Sequence, residues 1–351
     1  KTDPSIIFIV FLINRVLSGL AEAAASGADE AIAYDSLEAE GDKRQWGRVL
    51  EILMRFQSFG FIIAMSVGAA IYDPNLLESV CRFFDLDTNF SQETTMRFPL
   101  YLTFILAICA FITTLRMDDP HKNSPSSDAK KPEIRQAFSL TLKAGLWILK
   151  TPFALCVILF GMLFDGIIRM VITLSSQYYR MIELPESTFG IIGSLVAMFG
   201  LVVPKIAKKI TENHSPSYAV WITAGLTLTG LVSMNFFWPY LGLIPALITY
   251  SAMYFTGFFV SFYLNQAASS EQRATILSFK GLAYNISYGI LGILYALLLK
   301  TIKQGIQTES VENKVFMDSF SGFPITFILW FIFLLAVYLF VLKKPSFPGK
   351  K

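Results

Sequence analysis

Nine stretches of this chain are long and apolar enough to cross a lipid bilayer: roughly residues 5–26, 49–72, 98–115, 152–174, 187–204, 218–237, 239–264, 274–299 and 322–342. Each approaches the roughly 20 residues that a helix needs to span a hydrocarbon core of about 30 Å. The chain therefore reads as an all-α, polytopic membrane protein. A hydrophobic content of 54% and a mean hydropathy of +0.54 agree, because a soluble domain also has to cover itself with polar surface.

The basic residues give the spans a direction. With the start placed outside and nine crossings, 18 of the 29 Lys and Arg fall on one set of loops and the tail, and seven on the opposite set. The positive-inside rule then predicts an external start and a cytoplasmic C-terminus. The formal net charge of +3 adds little, and no basic stripe suited to nucleic acid is present. The chain opens Lys1-Thr2-Asp3-Pro4, without the basic and apolar regions of a signal peptide. An external start followed by an odd number of spans leads to the expectation that further spans lie upstream.

Several chemistries have no machinery here. Cys81, Cys109 and Cys156 are isolated, and His121 and His214 sit in polar loops, so no disulfide framework, metal site or cofactor is expected. A Gly-rich phosphate loop, a His-Glu-x-x-His pair and a Gly-x-Ser-x-Gly elbow are all missing. The chain is not expected to be an enzyme, and movement of a solute driven by a gradient becomes the default reading.

Segment 116–151 divides three spans from six. Asp118 to Asp128 is rich in charge and turn formers and reads as a linker, whereas Pro132 to Lys150 is predicted to be an amphipathic helix. In that helix Ile134, Phe138, Leu142 and Leu149 share a face while Arg135, Lys143 and Lys150 stay hydrated. It suits either an interfacial helix on the inner leaflet or a helix packed on the spans. The resulting organisation is 1–115, three spans; 116–151, the central loop; and 152–351, six spans. Gly60 and Gly68 have the same offset as Gly281 and Gly289, a spacing that parallel repeats would produce.

Charges inside spans are costly, at about 2.5–3.5 kcal/mol at the bilayer centre, and so mark sites or partners. Arg15 and Glu22 are seven residues apart, two turns along one face, with Gly19 beside them and Asp29 extending the stripe to the interface. Asp165 and Arg169 are four apart and can pair. Either pair can be a functional site or a static bridge between helices. Arg55 and Lys280 lie near span ends and read as snorkelling or paired with loop acids. Asn265, Gln266 and Asn285 offer hydrogen bonds to a solute or between helices. Trp46, Trp147, Trp238 and Tyr178-Tyr179 sit near span ends and read as an interfacial belt.

The stretch Asn14-Arg15-Val16-Leu17-Ser18-Gly19-Leu20-Ala21-Glu22-Ala23 resembles the fourth-helix motif of the major facilitator superfamily. Its continuation, Ser26 to Leu37, and the segment Gln272-Arg273-Ala274-Thr275-Ile276-Leu277-Ser278 are similar to signatures of a bacterial branch of those transporters. The resemblance covers nearly all of the chain and makes the nine spans helices four to twelve, with the first three absent. It implies a fold of two six-helix bundles that rock about a central site in a bacterial inner membrane.

That family lines its cavity with helices one, four, seven and ten, which would include the spans carrying Arg15, Glu22, Asp165 and Arg169. Asp165 or Glu22 is then expected to titrate, and Arg15 to tune it or meet an anionic group. Asp29, Glu30 and Asp35 are expected in a cytoplasmic gate that accepts Arg from neighbouring loops. The segment around Gly200 to Lys205 lacks the acidic residue of the family's loop motif, and Gly60 to Gly68 lacks the proline associated with antiporters. The expected function is secondary transport of a small solute with protons, by a monomer. The alternative is a non-transporting sensor or assembly partner that keeps the fold. Substrate and direction stay open, with the apolar, aromatic-rich spans leaning towards efflux.

Overall fold

A computed structural model describes residues 4–25, 27–83, 85, 90–116, 134–185, 188–304 and 311–341; for some of these, among them Arg15, Glu22 and Phe138, it describes the backbone alone. The described residues are helical almost throughout and contain no strand. The first group comprises α1 (Pro4–Ala25), α2 (Ala28–Ala39), α3 (Trp46–Tyr72), α4 (Pro74–Phe83), α5 (Gln92–Thr95) and α6 (Phe98–Thr114). The second comprises α7 (Ile134–Lys150), α8 (Pro152–Thr173), α9 (Ser175–Met181), α10 (Phe189–Asn213), α11 (Pro216–Met234), α12 (Leu243–Ala267), α13 (Ser270–Gln304), α14 (Val311–Phe320) and α15 (Gly322–Ala336).

Eight helices among the described residues are long and apolar enough to cross a membrane. The remaining expected span, 5–26, coincides with the 22-residue α1, whose section Ser5–Asn14 is apolar. Prolines open several spans where a missing N–H costs nothing: Pro99 in α6, Pro152 in α8 and Pro216 in α11. Phe56, Phe104, Phe111, Ile293 and Leu329 are exposed. On a water-soluble protein that surface would drive aggregation; on a spanning bundle it meets lipid.

Two boundaries differ from the sequence reading. The fifth span was expected to stop at Pro204, yet α10 runs through that proline to Asn213. Beyond it the helix becomes amphipathic, with Ala207 and Ile210 buried and Lys205 and Lys209 exposed, so packing carries it past the break. The seventh span begins at Leu243, not Pro239, because Phe237 and Tyr240 adopt left-handed backbone angles (φ 46° and 55°) in a tight turn. The Tyr240 N–H in that turn donates to the Ile182 carbonyl at 2.8 Å.

Much of the core lies within the second group, where Phe160, Phe164, Tyr178, Phe320, Phe327 and Phe331 form one cluster. Two further clusters tie the groups together. Trp46 and Leu50 pack with Phe153, Val203, Phe258 and Phe262, and Ala31 packs with Leu264, Ile276 and Leu277. Trp46 is fully buried, edge-on to Tyr34 at 5.2 Å, and is not an interfacial belt residue. Nor is Tyr178, which stacks on Phe320 at 5.4 Å and donates to the Gly242 carbonyl at 3.0 Å. Burial raises its phenol above the ordinary tyrosine value.

Helix α7 packs on the spans through one face, as the second of its two expected arrangements has it. Ala144, Gly145 and Ile148 are buried, with Gly145 against the Phe279 ring of α13, while Leu142, Leu146 and Leu149 form an exposed ridge. Small residues set the closest helix contact between the groups as well. A Cβ on Gly200 of α10 would overlap Ser58 of α3 and stand 2.8 Å from the Tyr254 ring. By contrast, Gly60, Gly68 and Gly289 face open space, so this packing does not account for their spacing.

Candidate functional site

Two polar constellations interrupt the apolar helices, one at mid-span and one at the end of the molecule where α12 passes into α13. The mid-span site is built on α8 and α13. Asp165 is 3% exposed, a depth that a carboxylate tolerates only with a partner. The four-residue spacing places Arg169 one turn further on the same face, and its Nη2 lies 2.8 Å from both carboxylate oxygens. Arg169 Nη1 donates to Asn285 Oδ1 on α13 at 2.9 Å, and the guanidinium lies 5.6 Å from the centre of the Tyr288 ring. Thr173, another turn along α8, has its hydroxyl 2.9 Å from that of Tyr288.

Glycines allow this convergence. A Cβ on Gly161 would overlap the Tyr284 hydroxyl, and one on Gly166 would stand 2.8 Å from Ser287 Oγ, so α13 seats Tyr284 and Ser287 in notches on α8. Ser287 also donates to the Met162 carbonyl at 3.0 Å. Asn285 and Tyr288, each one residue further along α13, then face Arg169. The pair is asymmetric in its exposure. The Arg169 side chain keeps 31% of its surface accessible and that of Asp165 only 4%, so the cation has room to exchange partners and the carboxylate does not.

The second constellation centres on Arg273, in the first turn of α13 and 2% exposed. Its Nη1 binds Asp35 of α2, and its Nη2 reaches Glu38 at 3.2 Å. The remaining donors go to the Ala268 carbonyl at 3.0 Å and the Asn265 carbonyl at 3.4 Å. The guanidinium also lies 4.1 Å from the centre of the Tyr34 ring. Tyr34, Asp35 and Glu38 reach it from neighbouring positions on α2, and a planar five-donor cation suits such a set better than an ammonium. Burial raises the Tyr34 phenol above its usual value, against the pull of Arg273, so the ring offers the cation a neutral π face.

Gly27 sets the start of α2. Its φ of 80° is strained for any other residue, and a Cβ there would overlap Leu277 of α13. One turn into α2, Glu30 accepts from Ser261 Oγ and, at 3.2 Å, from Asn265 Nδ2, with Lys280 Nζ at 3.8 Å. Nearby, Glu51 of α3 lies 3.6 Å from Lys208 of α10 and 3.4 Å from Arg55 of its own helix. These contacts join the first and second groups of helices at the same end.

The residues singled out from sequence thus separate into two places. Asp165, Arg169 and Asn285 converge at mid-span, while Glu30, Asp35 and Asn265 converge on Arg273 and Lys280. Asn285 stands twelve positions along α13 from Arg273, about 18 Å of helix. Asp29 is exposed on α2, and Gln266 is half-buried near the end of α12. Arg15 and Glu22 lie on α1, with side chains outside the described residues.

Sequence reasoning missed Glu38, Ser261, Tyr284 and Tyr288. The first two and Tyr288 stand three or four residues from Asp35, Asn265 and Asn285, a helical spacing that was legible. Tyr284 carried no such signal, because its place depends on a glycine in another helix. No group of three or more His, Cys, Asp or Glu suited to a metal occurs among the described residues. A family model described as Major Facilitator Superfamily matches residues 4–293. No curated protein and no solved structure matches the chain.

Proposed function

Because the chain belongs to the major facilitator superfamily of membrane transporters, we propose that it is a secondary active transporter that moves a small solute, coupled to protons, by alternating access. The observation that carries this reading is the buried Asp165 held by an Arg169 that is itself partly exposed and shared with Asn285. Protonating Asp165 removes the charge that holds Arg169. The guanidinium, still bonded to Asn285, is then free to bind an anionic or polar group of the solute, so carboxylate and solute compete for one cation and proton binding favours solute binding.

In this reading the Asp35, Glu38 and Arg273 fork, with Glu30 and Lys280 beside it, is the gate. The excess of Lys and Arg on its side supports a cytoplasmic position for that end and for the C-terminus. The two proposed moving bodies are 1–115 and 152–351, joined by 116–151, and the resemblance noted above supports a bacterial inner membrane as their place. Ties at the gate end support an outward-facing arrangement. So does a cavity of about 290 Å³ towards the other end, between Phe61 of α3 and Tyr179, Tyr250 and Tyr254 of the second group.

Of the amides, Asn285 is the proposed solute contact, since the Asn265 amide is committed to Glu30 and Ser261. Arg15 and Glu22 are proposed as a second charged pair on the cavity wall, and Asp29 as an outer member of the gate. The partners are one solute, protons and the bilayer, and the working unit is a monomer.

The test is proton movement in proteoliposomes that carry an internal pH dye, challenged with a panel of metabolites and amphiphiles. Solute-dependent proton flux that is lost in Asp165→Asn is the expected result. Flux that persists unchanged in that variant would remove Asp165 from the coupling role.

A further inference from the structure

A second cavity, of about 390 Å³ and lined by none of the charged residues of either constellation, lies within the second group of helices between α8, α11, α12 and the end of α15. Its walls are aromatic and aliphatic, with Phe153, Phe160, Phe164 and Phe259 prominent. The two buried threonines among them are satisfied by their own helices: Thr223 donates to Ala219 and Thr256 to Ala252, each at 2.8 Å. Those hydroxyls have their protons committed, so a hydrocarbon lying against them leaves no donor unpaired.

The position of the cavity indicates which hydrocarbon. Its rim is the start of α11, where Ser215 and Ser217 are exposed, and Trp221, 57% exposed, stands one turn deeper on the outer side of the same helix. Phe153 lies one residue inside α8 and Phe164 eleven residues deeper, so the walls descend about 16 Å. That is about half of a hydrocarbon core of about 30 Å, the depth of one leaflet. A polar rim at the span ends over a dry, leaflet-deep slot has the dimensions of a lipid tail below its headgroup.

We propose that this cavity binds one acyl chain of a phospholipid from the leaflet at the Arg273 end, separately from the solute site. The lipid would hold α8, which carries Asp165, against α11 and α12.

The experiment uses the whole chain in phosphatidylethanolamine and phosphatidylglycerol vesicles containing a phospholipid with a mid-chain diazirine, photolysed and mapped by peptide mass spectrometry. Adducts are expected on inward positions such as Cys156, Val157 and Thr256, beside those on the lipid-facing Ile325 and Leu329. Ala219→Phe and Cys156→Phe, which fill the slot from two different helices, should each lose the inward adducts and keep the outward ones. Outward adducts alone on the unaltered chain would overturn the proposal, whether or not the filled variants assemble. Inward labelling by a free diazirine-bearing amphiphile, but not by the phospholipid, would overturn it as well and assign the slot to a dissolved ligand.

Discussion

At the level of single residues, the mid-span pair is held by a balance that one substitution upsets. Asp165→Asn leaves Arg169 without its counter-charge; because that side chain keeps 31% of its surface accessible, the cost falls below the about 3–5 kcal/mol typical of breaking a fully buried pair. We expect a lower melting temperature in detergent together with loss of solute-dependent proton flux. Neutralising both partners, Asp165→Asn with Arg169→Gln, should restore most of the stability and leave flux absent. A double variant that still couples would make the pair a structural bridge only. At the gate, Arg273→Lys replaces a fork with a point charge that cannot serve Asp35, Glu38 and two carbonyls together. If that weakens the closed state by about 1.4 kcal/mol, the open fraction rises about tenfold. The reading is faster modification of Ala31→Cys, which is buried beneath the gate, by a membrane-impermeant maleimide. An unchanged rate would show that the fork does not hold the gate shut. Asp165 with Arg169 was legible because four-residue spacing is a property of one helix. That Asp35 accepts a loop Arg was expected, but that the Arg is Arg273 was not legible, because those residues are 238 positions apart and meet only when α2 lies on α13.

At the level of elements, glycine notches decide how closely the helices approach. Gly200→Leu drives a side chain into the space of Ser58 and Tyr254, and overpacking of this kind costs about 1–3 kcal/mol. The expected outcome is a destabilised chain in which α3 and α10 separate, seen as a lower melting temperature and as reactivity at Ser58→Cys, a position 5% exposed in the native packing. Helix α7 makes a different prediction. Its ridge of Leu142, Leu146 and Leu149 is exposed while its opposite face packs on α13, and the flanking Lys143 and Lys150 are exposed too. An environment-sensitive fluorophore at Leu146→Cys should shift to the blue in vesicles, because the ridge lies in the interface. Emission typical of water would place α7 clear of the membrane. Hydropathy located the spans but not all their ends. Proline stops a helix only when nothing beyond it is worth burying, and Ala207 and Ile210 carry α10 past Pro204. Trp46 and Tyr178 defeated the belt expectation for a related reason: an aromatic side chain near a span end goes where its ring partners are, and Tyr34 and Phe320 lie inside the protein.

For the molecule as a whole, the prediction concerns sidedness. Ser269, between α12 and α13, and Ser321, between α14 and α15, are both exposed. As single cysteines, with the three native ones replaced, they should react from opposite sides of a sealed vesicle, with Ser269→Cys on the cytoplasmic side. Reaction from one side would contradict the span count. By itself the sequence determined that the chain is helical and membrane-spanning, where the spans lie and which charges stand inside them. Each of these follows from local physics: the length of an apolar run and the cost of an unpaired backbone group or charge in lipid. Only the tertiary structure decided that Asn285 shares Arg169 with Asp165, that Asn265 serves Glu30 through its amide and Arg273 through its carbonyl, and that an apolar slot lies beside Trp221. Those outcomes depend on which helices touch, and the contacts are set by small residues whose neighbours are remote in the chain.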